Sequence, residues 1–135
     1  MRVRVLVAED DPEMLQVLVA LLTDEHDVVG TAPDGRALLA AAKRLQPDVV
    51  VLDISMPVVD GLEAGRRIRS VFPDMKLVYV TMHEDADIAN TALALGGTAF
   101  VIKRSAVGDL PVAVREVLAG RPFISTLVRP SRRVS

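Results

Sequence analysis

Residues 49–61 read VVVLDISMPVVDG, and this stretch decides the fold class of the chain. Four apolar residues run directly into Asp53, and the chain then meets two turn-forming signals, Pro57 and the pair Asp60-Gly61. A short apolar run bounded by such breakers is typical of a strand buried on both faces, as in a parallel sheet. Asp53 therefore stands at the carboxyl end of a buried strand, where an aspartate can cap a helix, face water in a loop, or react.

Short apolar runs alternate with longer helical segments along the whole chain. The predicted strands are residues 3–8, 27–32, 48–53, 76–81 and 98–102. Segments 62–72 and 85–95 are predicted helices, and three further segments repeat apolar residues every three to four positions: Met14/Val17/Leu18/Leu21/Leu22, Leu38/Ala41/Ala42/Leu45 and Leu110/Ala113/Val114/Val117. This order of elements predicts an α/β fold, a doubly wound parallel sheet of five strands with five helices.

Length and composition limit the class of protein. A chain of 135 residues, 50% of them apolar, has the size and core of one globular domain. No apolar run approaches the roughly 20 residues of a membrane span, and the N-terminus lacks signal-peptide features, so we expect a cytoplasmic protein without membrane contact. The absence of cysteine excludes disulfides and thiolate metal sites. A formal net charge of -2 excludes a generally basic nucleic-acid-binding surface.

Polar side chains follow the ends of four predicted strands. They are Glu9, Asp10 and Asp11 after the first strand, Asp53 at the end of the third, Thr81 at the end of the fourth with His83 beyond Met82, and Lys103 after the fifth. Because a doubly wound sheet gathers its functional groups at the carboxyl ends of its strands, we expect acids, a hydroxyl and an amine to meet at one edge. Asp11 is predicted to be a helix N-cap, since Pro12 suits the first helical turn.

Capping does not explain why Glu9 and Asp10 stand beside each other at the same edge as Asp53. Carboxylates in close contact repel by about 4 kcal/mol per pair at 4 Å and an effective dielectric constant of 20. A cation removes this cost, and Mg²⁺ suits the composition because it takes oxygen ligands from carboxylates, waters and phosphate. The sequence therefore predicts a magnesium site, with Asp53 as a candidate nucleophile toward a phosphoryl group.

Four segments resemble the receiver domains of two-component response regulators, and the resemblance extends over about residues 3–120. VRVLVAEDDP is similar to the first strand and its acidic pair, and VVVLDISMPVVDG to the phospho-acceptor strand with its DxxMPxxDG loop. LVYVTMHED is similar to the strand that carries the switch threonine, and GGTAFVIKRS to the strand that carries the lysine. The resemblance implies a flavodoxin-like sheet with strand order 2-1-3-4-5 and a signalling role without enzymatic turnover.

The resemblance also implies roles for individual residues. Asp53 would be the phosphorylated aspartate, with Glu9 and Asp10 as metal-binding acids and the backbone carbonyl of Ser55 as a further Mg²⁺ ligand. A glutamate in the acidic pair lengthens one arm without removing a carboxylate, so we expect the metal site to survive. Ser55 and His83 flank the reactive centre at positions where the family varies and tunes the lifetime of the phosphoryl group, although a loop histidine is usually only a polar surface residue.

The resemblance also implies roles for Thr81 and Phe100 on the last two predicted strands and for Lys103 directly after them. Thr81 and Lys103 would hold phosphate oxygens. Phe100 follows Thr81 by nineteen residues, at the position of the switch aromatic, which turns inward when the threonine moves toward the phosphate. Many receivers have a cis-proline after the lysine, whereas Arg104 stands here, and a cis bond to a non-proline residue costs about 3 kcal/mol.

The C-terminal segment LPVAVREVLAGRPFISTLV resembles the last helix and linker of receivers in NarL/LuxR-type transcription factors. We predict a receiver domain over residues 1–120 and a linker or disordered basic tail over residues 121–135. The implied partner is a sensor histidine kinase that phosphorylates Asp53, and a homodimer is possible. The implied output is transcription through a DNA-binding domain of a longer chain, so residues 1–135 alone should not bind specific DNA sequences.

Other functions fit parts of the pattern. A stand-alone receiver would act through protein–protein interaction. An aspartyl-phosphate hydrolase of the haloacid dehalogenase type also uses a strand-end aspartate and Mg²⁺, but it carries a second acid two residues on, where this chain has Ser55. A pseudo-receiver that has lost phosphorylation is disfavoured because all five expected side chains are present: Glu9, Asp10, Asp53, Thr81 and Lys103.

Overall fold

The computed structural model describes residues 2–94 and 98–126. Its strands are β1 (Arg4–Ala8), β2 (Asp27–Ala32), β3 (Val49–Asp53), β4 (Lys76–Thr81), β5 (Ala99–Ile102) and β6 (Phe123–Ile124). Its helices are α1 (Pro12–Thr23), α2 (Gly35–Leu45), α3 (Gly61–Val71), α4 (Ala86–Ala94) and α5 (Ala106–Leu118). A single 3-10 turn, Lys103–Ser105, joins β5 to α5. Within the described residues, no helix is both long and apolar enough to cross a membrane.

The strands form one parallel sheet in the order β2-β1-β3-β4-β5-β6. The predicted flavodoxin-like α/β fold is confirmed, and β2 and β4 have the predicted bounds. The sheet contains one more strand than predicted, because β6 pairs with the outer edge of β5. The short β6 lies within residues 121–135, for which the sequence predicts a linker or tail; residues 127–135 lie outside the described residues.

Alternate residues of β3 face opposite layers of helices, which explains the continuous apolar run in the sequence. Val50 and Leu52 pack in a cluster with apolar residues of α2, α3 and α4. Val49 and Val51 pack in a second cluster with residues of α1 and α5. All five β3 residues, including Asp53, are buried. The strand is therefore held from both sides, and it fixes the position of the aspartate at its end.

Aspartates cap the helices that follow the first three strands. Asp11 Oδ1 accepts a hydrogen bond from the Glu13 backbone N–H at 3.1 Å, which confirms the predicted cap of α1. Asp34 caps α2 and Asp60 caps α3 in the same manner. Because the side-chain oxygen of Asp60 satisfies a free N–H of the first turn, α3 begins at Gly61, one residue before the predicted start.

The loop after β3 folds tightly back against that strand. A Cβ atom at Gly61 would lie 2.0 Å from the carbonyl oxygen of Asp53, so only glycine fits here. The Gly61 N–H donates to the carbonyl oxygen of Ile54 at 2.8 Å and closes the loop. Val58 at the exposed tip has φ of 71°, a left-handed conformation that is unfavourable for a β-branched residue.

Candidate functional site

Four strand ends bring the predicted site residues to one edge of the sheet. Glu9 and Asp10 follow β1, and Asp53 stands at the end of β3. One carboxylate oxygen from each of these three residues lies within 4.8 Å of the other two. Glu9 and Asp53 are buried, whereas Asp10 is exposed. Lys103 reaches the same group from the end of β5. The predicted convergence of acids and an amine is therefore present.

Lys103 connects the two buried acids. Its Nζ atom lies 2.6 Å from Glu9 Oε1 and 3.0 Å from Asp53 Oδ2, and its side chain is 14% exposed. The second oxygen of each acid accepts a backbone N–H: Glu9 Oε2 from Asp11 at 3.2 Å, and Asp53 Oδ1 from Ser55 at 3.1 Å. One ammonium thus contacts two of the three carboxylates, and the cluster carries an excess of negative charge when all three are ionised.

The electrostatics of the site follow from burial and this charge imbalance. Burial, partly offset by the hydrogen bond from Lys103, raises the pKa of Glu9 to about 7. For Lys103, burial lowers the pKa, but the hydrogen bonds to Glu9 and Asp53 outweigh it, so the net pKa is raised. Lys103 is therefore a cation at neutral pH, available to a negatively charged group that joins the site.

The donor set fits a hard divalent cation. Carboxylate oxygens are the ligands that Mg²⁺ prefers, and its remaining positions are commonly filled by water and phosphate. Asp10 is open to solvent, so a cation bound beside it can keep several waters. An added divalent charge would also cancel the repulsion among three acids that Lys103 neutralises only in part. The cluster Glu9, Asp10 and Asp53 is thus suited to Mg²⁺ by ligand type and by charge.

Thr81 and Phe100 lie on the neighbouring strands β4 and β5. Both side chains are completely buried. Thr81 Oγ1 accepts the backbone N–H of His83 at 3.1 Å, which fixes the start of the loop after β4. Phe100 pairs in register with Tyr79, and its side chain belongs to the cluster on the α2, α3 and α4 side of the sheet. Thr81 and Phe100 therefore lie on two strands that pair directly with each other.

Two contacts across the site rim do not follow from the sequence. Ser55 Oγ and His83 Nε2 lie 3.4 Å apart, which joins the loops after β3 and β4. Arg104 forms an ion pair with Glu84, which joins the loops after β4 and β5. The described residues contain no cis peptide bond, so the Lys103–Arg104 bond is trans. Opposite charges on loops predicted to be neighbours are the signal that could have identified the Arg104–Glu84 pair.

An open cavity of about 340 Å³ has Lys103, the partner of Glu9 and Asp53, in its wall. It is lined by Asp11, Met14, Met82, Ile102, Lys103 and Arg104. The Met82 side chain is 80% exposed at its rim. Lys103 lines this cavity, whereas Glu9, Asp10 and Asp53 do not.

A family model for the response regulator receiver domain matches residues 5–115. The response regulator GacA of Pseudomonas viridiflava is 35% identical over 125 residues, which cover 91% of this chain and 58% of GacA. A protein-glutamate methylesterase/protein-glutamine glutaminase of Halalkalibacterium halodurans is 39% identical, but the match covers only 35% of that enzyme. The chain thus spans little more than half of GacA and about a third of the methylesterase.

Solved structures agree with the sequence matches. A LuxR-family two-component response regulator from Aurantimonas sp. SI85-9A1 superposes with a TM-score of 0.90 at 28% identity, covering 95% of this chain and 93% of that one. The signal receiver domain of the putative response regulator NarL from Mycobacterium tuberculosis gives 0.84 at 33% identity, covering 89% and 98%. The response regulator RcsB in complex with DNA gives 0.87 at 28% identity, covering 95% and 66%.

Proposed function

The chain belongs to the response regulator receiver domains, and we propose that phosphorylation of its Asp53 switches the domain between two conformations. The observation that carries this proposal is the position of Asp53. It lies at the end of a strand buried on both faces, 3.0 Å from the Lys103 ammonium and beside Glu9 and Asp10. This arrangement supplies a nucleophile, a cation for phosphate oxygens and ligands for Mg²⁺.

The proposed donor is the phosphohistidine of a sensor histidine kinase. A carboxylate oxygen of Asp53 attacks the phosphorus atom, and the new P–O bond forms as the P–N bond breaks. The departing imidazole nitrogen keeps the electron pair and takes up a proton. Held by Glu9, Asp10, Asp53 and the Ser55 carbonyl, Mg²⁺ would supply charge neutralisation between the carboxylates and the phosphoryl group. The proposed location of this reaction is the cytoplasm, which supplies the ATP that a sensor histidine kinase consumes.

Lys103 would change partners during this reaction. In the structure its ammonium is shared between Glu9 and Asp53. Once Asp53 becomes an acyl phosphate, that carboxylate loses its charge and the phosphoryl oxygens carry it instead. The ammonium then has a stronger acceptor within reach, because charge-assisted hydrogen bonds to phosphate are the shorter and stronger kind.

Thr81 and Phe100 are the proposed relay from the phosphoryl group to the surface. Among the described residues, Thr81 Oγ1 accepts a hydrogen bond from the backbone N–H of His83 in its own loop at 3.1 Å, so the hydroxyl proton can turn to a phosphate oxygen at small cost. Thr81 lies on β4, which pairs with the strand that carries Phe100, so a turn of the threonine leaves space beside that strand. Phosphorylation would thus favour one of two pre-existing packings of this aromatic side chain.

The proposed output is transcription, through a DNA-binding part of a longer protein. The response regulators GacA and RcsB support this, since the chain matches 58% of GacA and 66% of RcsB. A homodimer is proposed as the active form, because a related structure contains RcsB dimers bound to DNA. We propose no enzymatic turnover for these residues, even though the methylesterase shows that such a domain also occurs in enzymes.

Beryllofluoride tests the proposal, since its trifluoride stands in for a phosphoryl group on the aspartate. We expect it to bind the wild type only when a divalent cation is present, and not to bind Asp53→Asn. Thr81→Ala should still bind it but should show no change in amide spectra across α4, β5 and α5. Binding that is independent of metal would contradict the roles of Glu9 and Asp10, and a full response of Thr81→Ala would contradict the relay.

A further inference from the structure

The segment after α5 returns to the sheet and covers the edge of β5. Phe123 pairs with Ala99 and Ile124 pairs with Phe100 in parallel register. The Ser125 N–H donates to the carbonyl oxygen of Phe100 at 2.9 Å. Ser125 itself is 2% exposed, although the neighbouring Ile124 is 42% exposed. A serine is therefore the residue of this segment that is most deeply inserted into the domain.

The Ser125 hydroxyl continues the hydrogen bonding of β5 beyond the end of β6. Its Oγ atom accepts the backbone N–H of Ile102 at 3.0 Å. Ile102 is the last residue of β5 and is buried, so this N–H has no access to water. A buried N–H without an acceptor is costly. The hydroxyl of Ser125 thus fixes the Val101–Ile102 peptide group, which lies one peptide bond before Lys103.

Asp109 in the first turn of α5 holds this hydroxyl and one other. Its Oδ2 atom lies 2.7 Å from Ser125 Oγ and 2.7 Å from Ser105 Oγ. Ser105 Oγ lies also 3.1 Å from the carbonyl oxygen of Ile102. Because each hydroxyl carries one proton, the shorter contacts to the carboxylate direct both protons toward Asp109. Ser125 is thereby left with its lone pairs facing the Ile102 N–H.

These three residues surround the start of the loop that carries Lys103. Arg104 follows Lys103, so no proline ring restrains the loop at that point. Ser105 and Asp109 anchor the loop from its far end, and Ser125 anchors its near end through the backbone N–H of Ile102. We propose that Ser105, Asp109 and Ser125 form a positioning network that holds the Lys103 ammonium toward Asp53. This inference rests on the proposed phosphorylation of Asp53.

Through this network, Ser125, which lies beyond α5, helps to position Lys103 in the phosphorylation site. Lys103 is not among the proposed metal ligands, which come from the loop after β1, the end of β3 and the loop after β3. Loss of the network should therefore weaken the hold on phosphoryl oxygens without weakening the binding of Mg²⁺. A residue that only stabilised the fold would not separate these two affinities, so the separation identifies a positioning role.

Ser125→Ala, with Ser125→Thr and Thr126→Ala as companions, tests the network. Ser125→Thr keeps the hydroxyl, and Thr126 is the neighbouring exposed residue, outside the network. Beryllofluoride affinity is measured at saturating Mg²⁺, Mg²⁺ affinity is measured alone, and amide exchange is followed at Ile102. For Ser125→Ala we expect about tenfold weaker beryllofluoride binding, which corresponds to the loss of one charge-assisted hydrogen bond from the Lys103 ammonium. We also expect undiminished Mg²⁺ affinity and faster exchange at Ile102.

Ser125→Thr should recover most of the beryllofluoride affinity, and Thr126→Ala should behave as the wild type. Equal beryllofluoride affinity of Ser125→Ala and the wild type would overturn the network while leaving the function of Asp53 intact. A parallel loss of beryllofluoride and Mg²⁺ affinity would reduce Ser125 to a structural role and also overturn it. Failure of the wild type itself to bind beryllofluoride would instead reject the proposed function.

Discussion

Replacement of Asp10 by asparagine should make the metal-free protein more stable and the magnesium-loaded protein less stable than the wild type. Asp10 contributes to the acidic cluster but is exposed, whereas the ammonium of Lys103 is bound to Glu9 and Asp53. The substitution therefore removes repulsion without breaking either ion pair of Lys103. Asparagine has nearly the same shape as aspartate, so packing should be unchanged.

The size of the effect follows from the separations in the cluster. The acidic oxygens lie within 4.8 Å of one another. At such a separation each carboxylate pair repels by about 1 kcal/mol in water and by about 3 kcal/mol at an effective dielectric constant of 20. Glu9 and Asp10 are neighbours in sequence and repel each other in the unfolded chain too, so the pair Asp10–Asp53 dominates. We expect Asp10→Asn to raise the free energy of unfolding by about 1–2 kcal/mol without metal.

Magnesium should reverse the order of stability. At 100 times its dissociation constant, a ligand stabilises the folded state by about 2.7 kcal/mol. The wild type should gain this amount, and Asp10→Asn should gain much less because one anionic ligand is missing. Urea unfolding at pH 8, with EDTA and then with Mg²⁺, measures both differences. Asp11→Asn is the matched control, since Asp11 caps α1 and asparagine caps equally well. A metal-free Asp10→Asn that is less stable than wild type, or an equal gain from Mg²⁺, would refute the reasoning.

Three further predictions concern Glu9 and the packing around the site. Burial raises the pKa of Glu9 to about 7. Between the ordinary pKa of a glutamate and this value, the folded state therefore keeps a proton on Glu9 that the unfolded state releases. As the pH rises from 4.5 to 7.5, the free energy of unfolding of the metal-free wild type should therefore fall by about 3 kcal/mol more than that of Glu9→Gln. The same pH dependence of urea unfolding in both proteins would contradict this. A Cβ at Gly65 would lie 2.1 Å from the Tyr79 hydroxyl, so Gly65→Ala should destabilise the fold. Adding Tyr79→Phe should restore part of the lost stability, whereas purely additive effects in the double-mutant cycle would contradict this contact. Val58→Gly should raise the free energy of unfolding by up to about 1 kcal/mol, because glycine tolerates the φ of 71°, and a lower urea midpoint would disprove the strain.

The sequence could predict the sheet because its signals are local. The five predicted strands are apolar runs bounded by turn-forming residues, and each coincides with an observed strand to within one residue at either end. Parallel strands buried on both faces need such runs, whatever lies around them. The position of Asp53 at the end of β3 follows directly from this pattern. So does the meeting of Glu9, Asp10 and Lys103 at the same edge of the sheet.

The features that the sequence did not predict depend on contacts between distant segments. β6 has only two residues, Phe123–Ile124, and its apolar content is too small to distinguish a strand from a linker. It forms because β5 offers an unpaired edge. The contacts of Ser125 with Ile102 and Asp109 join residues that are 23 and 16 positions apart. No periodicity in the chain records such contacts, since they depend on how α5 and the segment after it pack against the sheet.

Phosphoryl transfer to Asp53 is the most direct test of the account. The wild type and Asp53→Asn are incubated with Mg²⁺ and acetyl phosphate or phosphoramidate, and their intact masses are measured. We predict that the wild type gains one phosphoryl group, stable in acid and labile in base, and that Asp53→Asn gains none. An Asp53→Asn protein that is modified as fully as the wild type would contradict the assignment of Asp53 as the acceptor.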